Sequence, residues 1–367
     1  MINRKMPTER EMIEELRRGK ISLSPISFRL IEDHPTINEK SRLDALIEAS
    51  WQDRIVKFAV ECKSFSTPKV FQEALSLLKT VSLPNDYKPM LFVPFLSEQQ
   101  LQELERAGVS GIDLVGNGVV VQGEFAVFRT GARNRFSSSA PIKNIYRRNS
   151  SMVARVFLAQ PVYDTVQAIH TEINWRNMLA QRWDKKNMSL STVSKALNTL
   201  EQDLIVERKN KIRLLQPDKL LEKLSLNYEQ PKIKNQVRIR IVAPQDTINK
   251  LILKQSQELE LPVVSTGTSA VTQFAVMQRG EMLSVYCPRL EALLDRLHGN
   301  KSDRFPNLEL IETDDETVYF DSRRESDFCW ASPVQAYLEL MSGDKRDRET
   351  AEQIKSYILT NLKKAPQ

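Results

Sequence analysis

Two adjacent stretches decide how the first third of the chain is read: Arg42-Leu43-Asp44-Ala45-Leu46-Ile47-Glu48-Ala49-Ser50 and Ile55-Val56-Lys57-Phe58-Ala59-Val60-Glu61-Cys62-Lys63. Both are mainly apolar, and Trp51-Gln52-Asp53-Arg54 between them predicts a turn joining two paired strands. Side chains alternate faces along a strand, so Glu61 and Lys63 point one way while Val60 and Cys62 enter the opposite layer. Asp44 lies 17 residues before Glu61, a spacing that suits such a hairpin. An acidic residue on one strand and an E-x-K triplet ending the next is how a metal-dependent nuclease assembles its site. Asp44 and Glu61 are the expected ligands of a Mg²⁺ ion, which prefers oxygen donors and keeps waters. The metal would polarise a phosphate and lower the pKa of a bound water. Lys63 would orient that water or stabilise developing negative charge. The triplet recurs as Glu207-Arg208-Lys209, and context separates the two: the first follows an apolar strand and an upstream Asp, whereas the second sits in a charged turn. The plainer alternative is that Asp44, Glu61 and Lys63 are a solvated sheet edge.

Around this hairpin the pattern is mixed α/β. Residues 8–18 carry helix formers, and Ser22-Leu23-Ser24-Pro25 breaks them. Pro68 opens a helix over Val70 to Thr80, with Leu75 and Leu78 at helical spacing. Met90-Leu91-Phe92-Val93-Pro94 reads as a short buried strand, and Glu98 to Ala107 as a helix ended by Gly108. Gly111-Ile112-Asp113-Leu114-Val115-Gly116-Asn117-Gly118 reads as a strand and tight turn, with more strand from Val119 to Thr130. The order β-β-α-β-α-β is that of a mixed core. Residues 131–150 then turn basic and serine-rich and read as a connector.

A second constellation follows at residues 163–216. The pattern predicts a helix around Trp175 to Trp183, then the polar turn Asp184-Lys185-Lys186-Asn187, then a helix through Met188–Glu201. Leu190, Val193, Leu197 and Leu200 make its apolar stripe. With Ser189 at its start, Ser191, Thr192, Ser194, Lys195 and Asn198 supply short polar and basic groups that can reach phosphates and base edges. Serine and threonine are not favoured on helix faces by propensity. Beyond Asp203-Leu204-Ile205-Val206, the basic hairpin Glu207–Leu215 carries Arg208, Lys209, Lys211 and Arg213. Helix, turn, polar helix and basic hairpin predict a winged helix-turn-helix that grips double-stranded DNA, with salt-sensitive affinity. The blander alternative is an amphipathic helix with a wet outer face.

Totals agree with this division. At 367 residues, with 41% apolar and 27% charged content, the chain is expected to form two or three domains, each with its own core. The net charge of +6 is compatible with a polyanionic partner, though a mildly basic soluble protein would match it equally well. Cys62, Cys287 and Cys329 have no C-x-x-C spacing, which argues against a disulfide framework and a zinc site. The histidines His34, His170 and His298 show no ligand rhythm, and no apolar run approaches a membrane span. A charged helix at residues 1–20 is not a secretory signal, so a cytoplasmic location is expected, without a membrane partner. The expected organisation is an α/β multidomain chain. A mixed α/β sheet domain is expected over 1–135, a winged helix-turn-helix over 150–230 and an α+β C-terminal domain over 235–367.

In the C-terminal part, Thr266-Gly267-Thr268-Ser269-Ala270 leads from a strand into a helix. Such a turn can bind phosphate, but a tight turn that needs glycine for its backbone is the simpler reading. Ala331-Ser332-Pro333-Val334-Gln335-Ala336-Tyr337-Leu338-Glu339-Leu340 opens another helix, and Arg346 to Leu362 closes the chain with a third.

Two resemblances extend these readings. Residues 25–130 resemble the PD-(D/E)xK restriction-endonuclease-like superfamily, with Leu43 where the family name has proline. That resemblance implies a glutamine on the helix after E-x-K that supports the site, here Gln72, and in some members an extra upstream glutamate, for which Glu32 and Glu39 both stand nearby. Taken over roughly 40–360, the chain is similar to the AbiEi family of antitoxin-type transcriptional regulators from type IV toxin–antitoxin systems. This rests on Gly111–Asn117, Arg129-Thr130-Gly131, the helix-and-hairpin stretch, Thr266–Ala270 and Ser332–Leu340. The resemblance implies operator binding, regulation of a neighbouring nucleotidyltransferase-like toxin gene and a toxin partner in phage defence. A short repeated operator would be read by a homodimer. The longer N-terminal segment leaves repressor, nuclease and a defence protein combining both open.

Overall fold

The computed structural model describes residues 6–38, 41–83, 86–122, 125–136, 144–178, 187–276, 282–297, 300–301, 304–325 and 328–364. The chain divides into two compact units, Met1–Pro141 and Ile142–Gln367.

The N-terminal unit begins with α1 (Glu9–Arg17), capped by Thr8, whose hydroxyl accepts from the Glu11 N–H while the Glu11 carboxylate accepts from the Thr8 N–H. The strands β1 (Ser22–Leu23), β2 (Ile26–Asp33), β3 (Thr36–Asn38), β4 (Ser41–Arg42), β5 (Ala45–Trp51) and β6 (Arg54–Cys62) follow. Next come α2 (Pro68–Thr80), β7 (Tyr87–Val93), α3 (Glu98–Arg106), β8 (Ser110–Asp113), β9 (Gly118–Gln122) and β10 (Phe125–Arg129). Among the described residues the main sheet runs β1-β2-β5-β6-β7-β8-β9-β10, and β3 and β4 form a separate ribbon. The β6–β7 and β7–β8 pairs are parallel, as expected where the helices α2 and α3 cross over between strands. Strand β2 was not anticipated from the sequence. It pairs antiparallel with β5, with a register shift between Leu30 and Glu32 that blurs its alternation.

Each face of this sheet has its own core. Ala45, Ile47, Val60, Cys62 and Phe92 pack with Met12, Ile13 and Leu16 of α1. Leu46, Ala59, Leu91 and Val93 pack with Phe71 and Leu75 of α2 and Leu101 and Leu104 of α3. The expected alternation about Glu61 is therefore present, with Val60 and Cys62 both turned toward α1. Asp113 closes the β8–β9 turn: its carboxylate accepts from the N–H groups of Val115, Gly116 and Asn117, and from Leu96 across the fold. Gly116 sits there at φ +101°, a conformation that favours glycine.

The second unit opens with α4 (Ser151–Arg155), β11 (Val162–Tyr163), α5 (Val166–Arg176), α6 (Leu190–Gln202), β12 (Val206–Arg208), β13 (Ile212–Leu214) and α7 (Pro217–Leu226). The three short strands make an antiparallel sheet in the order β11-β13-β12. Helix α5 spans Val166–Arg176, while the helix expected around Trp175 to Trp183 falls largely on residues 179–186, which lie outside the described residues. The placement of α5 has a local cause. Thr165 caps it by accepting from the Ala168 N–H, and Ile169 and Ile173 form its buried face, which leaves Trp175 at 57% exposure near the end.

The remainder comprises β14 (Asn235–Arg240), α8 (Gln245–Glu258), β15 (Val264–Thr266), α9 (Gly267–Val271), β16 (Leu283–Cys287) and α10 (Leu290–Leu297). Then come β17 (Asn300–Lys301), β18 (Leu308–Glu312), β19 (Arg323–Glu325), β20 (Phe328–Trp330), α11 (Pro333–Met341) and α12 (Lys345–Lys364). Its mixed sheet has the order β17-β14-β18-β16-β15-β20-β19 among the described residues. One core joins Val193, Leu197 and Leu200 of α6 to Val334 and Leu338 of α11 and to Ile354 and Ile358 of α12. The helical segment and the last two helices thus share a single interior. No helix among the described residues is long and apolar enough to cross a membrane.

Candidate functional site

In the N-terminal unit the structure brings Asp44, Glu61 and Lys63 together. Asp44 sits one residue before β5 rather than inside a strand, and its N–H donates to the Val60 carbonyl at 3.0 Å. Its carboxylate accepts from the Cys62 N–H at 2.7 Å, so Asp44 stands against the end of β6. Glu61, only 5% exposed, is ion-paired with Lys63 at 2.5 Å. Lys63 lies just past β6, where its N–H donates to the Phe92 carbonyl and continues the parallel pairing with β7.

The electrostatics follow from that crowding. Burial pushes the Glu61 carboxyl up from its ordinary value, the Asp44 charge adds to the rise, and the hydrogen bond and charge of Lys63 oppose it. Burial lowers the Lys63 ammonium, but its bond to Glu61 and the charges of Glu61, Asp44 and Glu9 outweigh burial and leave it raised. Glu9, in the first turn of α1, therefore adds a third negative charge here. Sequence reasoning missed it. A glutamate 52 residues before Glu61 reaches the same place only because α1 packs on the sheet, and the only available signal was a helix ahead of the hairpin.

The other expected members stand elsewhere. Gln72 is exposed on α2, and its amide donates to Glu103 on α3, so it does not support the carboxylates. The α2 face that meets the sheet is instead Phe71, Ala74, Leu75 and Leu78. Glu32 is exposed on β2, and Glu39 lies outside the described residues. The donor chemistry of Asp44 and Glu61 suits Mg²⁺, which needs only one or two carboxylates beside waters and substrate phosphate. No group of three or more His, Cys, Asp or Glu among the described residues is placed to hold a metal ion.

In the second unit, α6 presents a polar face outward. Ser189 caps it, its hydroxyl accepting from the Thr192 N–H at 3.1 Å. Val193, Ala196, Leu197 and Leu200 are buried. Leu190, expected in this stripe, is 44% exposed because the first turn projects beyond the core that the next turns enter. Ser189, Ser191, Lys195 and Asn198 are exposed, and Thr192 and Ser194 half-buried. His170 and Asn174 of α5 hold the residue ahead of the cap: the Asn174 side-chain oxygen accepts from the Met188 N–H, and a His170 ring nitrogen lies 2.8 Å from its carbonyl.

The basic hairpin is less free than its sequence implies. Arg208 donates to the Asn198 side-chain oxygen and lies 4.0 Å from Glu201. Lys209 pairs with Glu207 at 2.5 Å, and Lys211 with Asp164 at 3.9 Å. Lys195 and Arg213 are exposed and make no ion pair with another described residue. Arg147 and Arg148 of the basic connector both pair with Glu229.

The two C-terminal motifs meet each other. The Thr266 hydroxyl donates to the Glu339 carboxylate, which also accepts from Gln335 at 2.8 Å and from the Tyr286 hydroxyl at 3.2 Å. Arg155 of α4, fully buried, donates to Gln335 at 2.9 Å and to the Thr317 carbonyl at 3.1 Å, which ties the helical segment to this network. A carboxylate at Thr266 opposes an anion, and α9 has only five residues, so a phosphate site does not suit this turn. Gly267, at φ +62°, serves the backbone there.

No curated protein and no solved structure matches the chain. A family model does match, over residues 213–360, less than half of the chain. The match takes in Thr266–Ala270 and Ser332–Leu340 and leaves Gly111–Asn117, Arg129–Gly131 and helix α6 outside. That stretch is similar to the transcriptional regulator, AbiEi antitoxin, of the type IV toxin–antitoxin system.

Proposed function

We propose that the chain is a DNA-binding transcriptional regulator of the AbiEi antitoxin type, which grips duplex DNA through a winged helix made of α4, α5, α6 and the β12–β13 hairpin. The observation that carries this is the outward face of α6, with Ser189, Ser191, Lys195 and Asn198 exposed above a buried apolar stripe. Helix, strand, two helices and a hairpin whose second strand pairs with β11 is the order expected of such a module. In this reading α6 enters the major groove, while Lys195, Lys209, Lys211 and Arg213 approach phosphates. Arg155 and Gln335 join the module to the part that matches the family model. The protein partner would be a nucleotidyltransferase-like toxin encoded nearby, and a homodimer would fit a repeated operator. Fluorescence anisotropy with duplex DNA from upstream of the chain's own gene tests this. Salt-sensitive binding without divalent metal is expected, and no binding at low salt refutes it.

A second reading, supported by the convergence of Asp44, Glu61 and Lys63, is a Mg²⁺-dependent DNA endonuclease of the PD-(D/E)xK class. Asp44 and Glu61 would hold the ion, which would supply an activated water and a Lewis acid. Lys63 would face the phosphate, its raised pKa keeping it cationic. Plasmid cleavage with Mg²⁺ or Mn²⁺ that disappears in Glu61→Ala and Lys63→Ala is the expected result. Cleavage that survives both substitutions, or none in the native chain, removes this reading.

A further inference from the structure

Residues 315–321, within the stretch that matches the family model, hold the helices ahead of α6 at several points. The short helical turn Glu316–Val318 leads into Tyr319, Phe320 and Asp321. Phe320 enters the core that α6 also enters. The Thr317 carbonyl accepts from Arg155 of α4 at 3.1 Å, and Glu316 accepts from the Asn177 amide, just past α5, at 3.5 Å. Asp321 grips Arg176, the last residue of α5, in two places. Its N–H donates to the Arg176 carbonyl at 3.2 Å, and its carboxylate accepts from the guanidinium. These side chains are only 16% and 13% exposed, so solvent and salt screen the pair less than one on the surface. Asp321 lies at φ +53°, a left-handed conformation that aspartate and asparagine adopt more readily than most residues.

The same helix α5 holds the start of α6. Its Asn174 accepts from the Met188 N–H at 3.1 Å, and its His170 ring nitrogen lies 2.8 Å from the Met188 carbonyl, directly ahead of the Ser189 cap. The first turn of α6 projects beyond the core, with Leu190 exposed, so this clasp rather than packing sets its place. A continuous path of bonds thus runs from residues 315–321 through α5 to the first turn of α6. We propose that Asp321 is a positioning residue for DNA binding: it fixes the end of α5 and, through the clasp on Met188, the seat of α6. This rests on the reading of α6 as the DNA-contacting helix and deepens it. The part that matches the family model thereby governs DNA affinity without touching DNA.

Duplex affinity of the full chain, read by fluorescence anisotropy at one salt concentration, tests it through the sign of the effect. Asp321→Asn removes a negative charge and suits the left-handed backbone, and Asp321→Lys also sets a second cation beside Arg176. Charge alone would make both variants bind a polyanion more tightly. Positioning predicts the reverse: a loss of at least about threefold in Asp321→Asn, where a charge-assisted bond becomes a neutral one, and a larger loss in Asp321→Lys. Titration at protein and DNA concentrations well above the dissociation constant fixes the active fraction, so partial unfolding is not read as weaker binding. Asn174→Leu, which opens the clasp, should also weaken binding, and adding Asp321→Asn to it should cost little more, because both act on the same step. Binding by either Asp321 variant as tight as the native chain's or tighter, an unaffected Asn174→Leu, or losses that add in the double variant overturns the proposal alone. A native chain that binds no duplex at low salt overturns it together with the DNA-contacting role of α6.

Discussion

The carboxylate cluster at the end of β6 and the polar face of α6 are both polar groups set on an apolar layer, and they differ in what surrounds them. Glu61 is buried, holds Lys63 in an ion pair and feels the charges of Asp44 and Glu9. On α6, Lys195 and Asn198 stand in solvent above Val193, Leu197 and Leu200, which carry the stability of the helix. In the first region a charged group is costly unless it is paired, so its partners are fixed within the fold. In the second, charges cost little, and their partners can come from outside. A polar motif in the sequence therefore says little until its burial is known.

The largest expected effect bears on the helix. Leu197→Ala removes a fully buried side chain from the core shared by α6 and α11 and should cost about 2–5 kcal/mol. Urea unfolding followed by hydrogen exchange at β11–β13 measures it. A loss below about 1 kcal/mol would mean that α6 is not anchored as described.

The salt dependence of DNA binding sharpens the contrast next. If only Lys195 and Arg213 meet phosphates, the slope of log K against log salt should be near −2, roughly a tenfold loss of affinity between 50 and 200 mM. If Arg208, Lys209 and Lys211 leave their intramolecular partners for phosphates, the slope should approach about −4.5. Anisotropy titrations at several salt concentrations separate the two outcomes.

The pH response should have opposite signs in the two units. The Glu61 pKa is raised by burial, so the native state holds that proton more tightly than the unfolded chain does. Stability from this group is complete below the ordinary carboxylate value of 4.5 and is lost as pH rises through the folded one. At Glu309 of β18, burial raises the pKa, but bonds from Arg238, Ser284 and Gln236 outweigh it and leave it lowered. Its contribution is present above the ordinary value and is lost as pH falls through the folded one. Unfolding free energies of Glu61→Gln and Glu309→Gln across pH 3 to 7 should therefore diverge from the native chain in opposite directions, and parallel curves would contradict the assignment.

The smallest effect is expected at Gln72→Ala. Its partner Glu103 lies on another exposed helix face, so stability should change by less than about 0.5 kcal/mol. A Mn²⁺ titration should give the same result for this variant as for the native chain.

These contrasts also separate what the sequence made legible from what it did not. Strand alternation placed Glu61 and Lys63 on one face and Cys62 on the other, because that periodicity is local and strict. Asp44 could be paired with β6 because a tight turn at Gln52-Asp53 fixes the register of the hairpin. Gln72 could not be placed, because helical spacing gives a face but not what that face meets. Glu9, the bond from Thr266 to Glu339 and the bond from Arg208 to Asn198 depend on tertiary packing that brings distant segments together. The basic hairpin was visible as charge, yet the acids that pair with it come from α6, from Asp164 and from the hairpin itself, and a count of cations does not include them.

Duplex affinity of the Lys195→Glu, Arg213→Glu chain, compared with the native chain at low salt, tests the central claim most directly. Both side chains are exposed and make no ion pair with another described residue, so the fold should be kept while the approach to DNA is reversed in charge. The account predicts a loss of affinity of at least about tenfold. Undiminished binding by this variant would place the DNA surface somewhere other than α6 and its hairpin.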